Sequence, residues 1–154
     1  MLSRTQPRAT DAPRASLSDV QQPVVDAYLE ALPHGVPPRI LASRTLFVAD
    51  SREEARRYAE IGLRRAAVGF TRMGQPPAGD SLDELLAAYD THVGTVDEVI
   101  ESLSRDAVAA QASEVAFQVH SVDPPHELVL RSIELIAREV APALGWGVRA
   151  HALA

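Results

Sequence analysis

Apolar and polar positions along this chain switch between two periods, and the switches mark its elements. Val115, Phe117 and Val119 interleave with Ala116, Gln118 and His120, a run whose two faces are both largely apolar and which predicts a strand covered on both sides. Asp123 then offers a helix cap, with Pro124 at the first helical position. Val129, Ile133, Ile136 and Val140 follow at steps of four and three, predicting one apolar stripe on a helix that runs to Leu144. Arg131, Glu134, Arg138 and Glu139 lie outside that stripe.

A second strand is read from Thr45-Leu46-Phe47-Val48-Ala49, a continuous apolar run that closes on Asp50 and extends back to Ile40 and Leu41. Pro23 opens a helix with Val25, Tyr28, Leu29 and Leu32 on its apolar face, and the segment from Pro33 to Pro38 ends it. Three capping boxes predict further helix starts: Ser51 with Glu54, Ser81 with Glu84 and Thr95 with Glu98. The first of these helices presents Ala55, Tyr58, Ala59, Gly62, Ala66 and Phe70 on one side. The chain thus divides into a loop (1–16), a helix-strand-helix unit (17–70), an insertion with its own short helix (71–94), a second helix-strand-helix unit (95–146) and a tail (147–154). Alternating helices and apolar strands call for an α/β fold with parallel strands. Two such strands cannot shield each other, so the chain reads as one partial domain of a larger sheet. Its exposed sheet edges predict self-association or a partner chain.

Composition narrows the chemistry. The net charge is −6, and the 15 cationic residues are scattered, so no basic stripe for nucleic acid is present. All 15 are arginine, which excludes a Schiff-base or P-loop lysine, and the absence of cysteine excludes thiolate catalysis. No apolar run is long enough to span a bilayer, and the N-terminus lacks the apolar core of a secretory signal, so a cytoplasmic protein is expected. At 154 residues the chain holds one core, whereas a complete (β/α)8 barrel takes about 250.

Three segments carry a family resemblance: RTLFVADSREEARR (44–57), HVGTVDEVIESL (92–103) and PPHELVLRSIELIAREVAPALGW (124–146). They resemble the C-terminal part of the bacterial luciferase-like flavin monooxygenases, and Leu2 to Arg8 resembles the end of an inner barrel strand in a subgroup of FMN-dependent members. The resemblance implies the C-terminal portion of a TIM barrel, incomplete on its own. It also implies reduced FMN, or in some branches a deazaflavin, as cofactor, and a small organic substrate oxidised with molecular oxygen. The early strands that hold the flavin ring in this family, and the glycine-containing loop that receives its phosphate, have no counterpart here. A non-catalytic remnant or assembly partner that docks on another chain is the competing expectation.

Barrel enzymes place their chemistry at the C-terminal ends of strands, which directs attention to Ser3, Arg4, Asp50 and His120. Arg4 is a candidate holder of a flavin phosphate through its guanidinium, with Ser3 and Thr5 as neutral donors; the alternative is a solvated arginine at a chain terminus. His120 is the candidate catalytic residue, a proton donor or hydrogen-bond partner at the flavin edge. Asp50 reads as a turn residue before the Ser51 cap. His120, His126 and Glu127 match no metal-binding spacing, so no metal is expected.

Overall fold

The computed structural model describes residues 1–119 and 124–146. Its elements run α1 (Leu17–Ala31), β1 (Leu41–Val48), α2 (Arg52–Arg72), α3 (Leu82–Ala88), β2 (Thr91–Gly94), α4 (Val96–Ser104), α5 (Ala107–Gln111), β3 (Glu114–Gln118) and α6 (His126–Leu135). The last helix continues through a π-turn (Ile136–Val140) into α7 (Ala141–Ala143). The strands form one parallel, open sheet in the order β2-β1-β3.

That order decides where the helices lie. The chain steps from β1 to β2 in one direction and then from β2 across β1 to β3 in the other, and right-handed crossovers of opposite direction put their helices on opposite faces. Phe47 and Ala49 accordingly pack with Ala55 and Tyr58 of α2. Leu46 and Val48 point the other way, into a core with Val99 and Leu103 of α4 and with Leu135, Ile136 and Val140. β1 is therefore the strand sealed on both faces, and this matches its continuous apolar run.

Several expectations change in the structure. A third strand, β2, lies inside the segment read as an insertion; its four residues, THVG, are too few and too polar to register as an apolar run. β3 is an edge strand, and Glu114 and Ala116 stay exposed while Val115 and Phe117 turn toward the core, so its two faces are not equally covered. Helix α1 starts at Leu17 instead of Pro23, because Ser16 and Asp19 form a reciprocal cap: the Ser16 hydroxyl accepts from the Asp19 amide at 3.1 Å, and the Asp19 carboxylate accepts from the Ser16 amide at 2.9 Å. Pro23 sits inside the helix, and the buried side is Leu17, Gln21 and Val25, leaving Tyr28 and Leu29 at the surface.

Helix α6 also faces differently from the predicted stripe. Ser132, Leu135, Ile136 and Val140 are buried, whereas Ile133 is 47% exposed. Ser132 is drawn inward by a backbone need: β3 ends opposite Thr45, so the Val48 amide has no strand partner and donates instead to Ser132 Oγ at 2.9 Å. The helix begins at His126 after Pro124 and Pro125, and the predicted Asp123 cap falls outside the described residues. Beyond the π-turn, Gly145 adopts a positive φ of 72° and the Trp146 amide returns to Ala141, which stops the helix and brings Trp146 to 6.0 Å from Phe117 with the two rings tilted.

The three predicted caps all mark true starts. Ser51 Oγ accepts from Glu54, Ser81 and Glu84 form the full reciprocal pair, and Glu98 accepts from both the amide and hydroxyl of Thr95. Gly94 makes room for the last of these, since a Cβ there would lie 2.8 Å from Glu98 Cβ. The Val-Gly-Thr-x-x-Glu box is thus a capping device at the end of β2. Ser51→Ala and Ser81→Ala are each expected to lower stability by about 1 kcal/mol in urea unfolding, Thr95→Ala by less, because its hydroxyl accepts from no helix amide, and Gly94→Ala by more than either serine change, because Glu98 must leave its cap.

Candidate functional site

The C-terminal ends of β1 and β2 open into a shallow cleft of about 260 Å³, lined by Ala49, Asp50, Thr95, Val96, Asp97, Arg131, Leu135 and Glu139. Asp50 does more here than turn the chain. Its carboxylate accepts two hydrogen bonds from Arg131 of α6, with Nη2 at 2.8 Å from Oδ1 and Nε at 3.1 Å from Oδ2. These bonds hold the Asp50 carboxyl below its ordinary range. Arg131 is further engaged by Glu134 at 3.1 Å, so the remaining charges on the rim, Asp97 and Glu139, make the cleft acidic. Such a rim repels a phosphate.

The candidate cofactor residues lie elsewhere. Leu2 pairs with Ala42 in parallel, its amide donating to Leu41 and its carbonyl accepting from Ser43. The Ser43 amide and the Ala49 amide leave β1 on the same side, and Ala49 donates to Gly94, so Leu2 and β2 share one edge of β1. Thr91 occupies that edge from Thr45 onward, and the N-terminal segment must turn away there. At the turn Arg4 is half-buried and its Nη1 donates to Thr45 Oγ1 at 3.4 Å, the Ser3 carbonyl accepts from Gln21 Nε2 at 2.7 Å, and the Thr5 amide donates to Ser3 Oγ at 3.4 Å. Arg4 is therefore tethered along the middle of β1 and not at the C-terminal strand ends. Ser3, Arg4 and Thr5 line neither this cleft nor the second depression, of about 280 Å³, between residues 8–15 and α3. His120 lies outside the described residues. His126 and Glu127 are exposed in the first turn of α6, and no group of three metal-ligating side chains occurs among the described residues.

A buried polar cluster lies behind the sheet, and the sequence pattern gave little warning of it beyond an arginine within an apolar strand. Arg44 is fully buried and donates to both oxygens of Asp106, from Nε at 2.5 Å and Nη2 at 3.0 Å. Asp106 also accepts from Ser18 Oγ at 2.6 Å and from the Ala109 amide at 2.8 Å. Burial alone would raise its carboxyl, but the Arg44, Ser18 and Ala109 donors outweigh that and hold it at about 2. His92 of β2 stands 3.9 Å from Asp106 and bonds Ser102 Oγ at 2.8 Å. Burial pushes its imidazole down to about 4; the Asp106 charge opposes this and Arg44 reinforces it. These groups are engaged with one another, so their arrangement is suited to holding elements together and not to turnover.

A parallel α/β sheet with chemistry-bearing loops at one end defines a class shared by many enzymes. Among solved structures, the chain is similar to the oxygenating constituent of 3,6-diketocamphane monooxygenase, a type II Baeyer-Villiger monooxygenase from the CAM plasmid of Pseudomonas putida, in complex with FMN. The TM-score is 0.56 and the sequence identity 25%, over 86% of this chain and 40% of that one. The chain thus shares part of the fold of a flavin monooxygenase and spans less than half of that protein's length. No protein-family profile and no curated protein matches it. No helix among the described residues is long and apolar enough to cross a membrane.

The buried cluster makes stability depend on pH. The folded pKa of His92 lies below its unfolded value of 6.5, so the unfolded chain takes the proton first on acidification. Stability therefore falls between about pH 6.5 and 4, by about 3 kcal/mol for this group, and then falls further as the Asp106 carboxylate titrates toward about 2. Urea midpoints at neutral pH and near pH 4.5 check this, and His92→Gln is expected to remove the first window. Asp106→Asn leaves Arg44 buried without a counter-charge and is expected to cost about 3 kcal/mol, of which Arg44→Met in the same chain restores about half.

Proposed function

We propose that this chain forms the C-terminal part of a luciferase-like, FMN-dependent monooxygenase of (β/α)8 architecture, acting on a small organic substrate with molecular oxygen. The observation that carries the reading is the similarity of 86% of the chain to an FMN-bound oxygenase. In such a reaction reduced FMN supplies two electrons, one oxygen atom passes to the substrate and the other leaves as water. Ser3, Arg4 and Thr5 are retained in this proposal as the donors to an anionic end of the cofactor, although Arg4 is held against the middle of β1 and not at its C-terminal end; His120, two positions after β3 in sequence, is the proton donor, and a deazaflavin is the variant cofactor.

The described residues by themselves do not enclose a flavin. A cofactor pocket of that size buries most of its ligand within several hundred Å³ of enclosed space, whereas the two depressions described above are open and are not lined by Ser3, Arg4 or Thr5. Further strands, or a partner chain docked along the exposed edge at β3, supply the remaining walls in this proposal.

A chimera tests the reading directly. The segment of the diketocamphane oxygenase that this chain matches is replaced by the present chain, and the purified product is titrated with FMN by flavin fluorescence quenching. Saturable binding within about tenfold of the parent oxygenase is the expected result. A chimera that folds without flavin, or does not fold, overturns the proposal. The present chain alone is expected to show no submicromolar FMN binding in the same titration.

A further inference from the structure

Residues 6–16 have no regular structure, yet one guanidinium organises them. Arg8 donates to the carbonyls of Gln6 and Ala15, both at 2.7 Å, which folds the loop around its side chain. Its remaining nitrogen pairs with Asp90, the residue that precedes β2. Asp90 uses its other oxygen to accept from the Leu17 amide at 2.7 Å, at the first residue of α1. One carboxylate therefore holds both ends of the loop.

Two further features set Asp90 apart. Its backbone is the one non-glycine position with positive φ among the described residues, at 45°, a conformation an aspartate tolerates at some cost. Both side chains of the pair are nearly buried, at 13% and 12% exposure, so removing either charge leaves the other without compensation. The same loop leads back to Ser3, Arg4 and Thr5, and Arg4 reaches Thr45, whose register partner Thr91 directly follows Asp90. Asp90 is thus linked to Arg4 along two routes, one through Arg8 and the strap and one through Thr91 and Thr45.

We infer that Asp90 is a positioning residue: through its ion pair with Arg8 it latches the N-terminal strap onto the start of β2, and so acts together with the Leu2 pairing, Gln21 and Thr45 to set where Ser3, Arg4 and Thr5 lie against β1. The consequence for flavin rests on the function proposed above; the latch itself does not.

Trypsin reads the latch in the full chain, because every basic residue is arginine. Asp90→Asn keeps a residue suited to positive φ but removes the charge, and Asp90→Gly relieves the backbone while removing the carboxylate. Each is expected to speed cleavage after Arg8 by about tenfold and to leave cleavage after the exposed Arg72 unchanged, the mark of local opening. Equal acceleration at both sites, or acceleration at neither, overturns the inference, since the first reports general destabilisation and the second a strap held by other contacts. In the chimera, Asp90→Asn is expected to weaken FMN binding about tenfold without loss of fold. Faster cleavage after Arg8 in the full chain together with a chimera that never binds flavin leaves the latch standing and removes the flavin reading. Unchanged FMN affinity in a flavin-binding chimera overturns the positioning role.

Discussion

The mutual placement of β1, β2, α1 and α5 depends on one buried arginine. Arg44 stands in the middle of the central strand, where an apolar side chain is the ordinary occupant, and its charge is tolerable only because Asp106 meets it with both oxygens. Asp106 can do so only if α5 begins where it does, since the same carboxylate caps that helix, and only if α1 brings Ser18 alongside. His92 closes the group from β2. A buried pair adds little over a well-packed apolar replacement, but half of one is strongly destabilising. Its effect is therefore to exclude other arrangements of β1, β2, α1 and α5.

Strand order supplies the second constraint. Because β1 lies between β2 and β3, the two crossovers run in opposite directions and the helices cover both faces. Small side chains serve one side, where Ala55, Ala59 and Gly62 let α2 sit close to the sheet. Branched and long ones serve the other, where Val99, Leu103, Leu135 and Val140 fill the core. The outer strands β2 and β3 are short, and among the described residues no further strand pairs with their far edges.

Three of the arginine-carboxylate pairs join elements at a strand end, at a loop and in the interior. Arg131 with Asp50 ties α6 to the end of β1, Arg8 with Asp90 ties the N-terminal loop to the start of β2, and Arg44 with Asp106 ties the interior. With no lysine available, each of these uses the planar fork, whose several donors can serve a carboxylate and backbone carbonyls at once. The oxygenase similarity and these joints bear on the same question from different sides. One concerns what the fold belongs to, and the other how this part of it is held.

Local signals determined much of the architecture by themselves. Ser51, Ser81 and Thr95 each start a helix because a cap needs only its own next few residues, and the run from Leu41 to Val48 is a strand because no polar face interrupts its end. Gly145 stops the last helix for an equally local reason. Tertiary structure decided the rest. β2 exists because β1 offers its edge from Thr45 to Val48, since four residues are too short to hold a strand without a partner. Ser132 turns inward because Val48 lacks a partner, and Arg44 is buried because Asp106, 62 positions away, is there to receive it. Periodicity assigns a side chain to a face; only the neighbours that satisfy its charge or its hydrogen bond determine whether that face is the buried one.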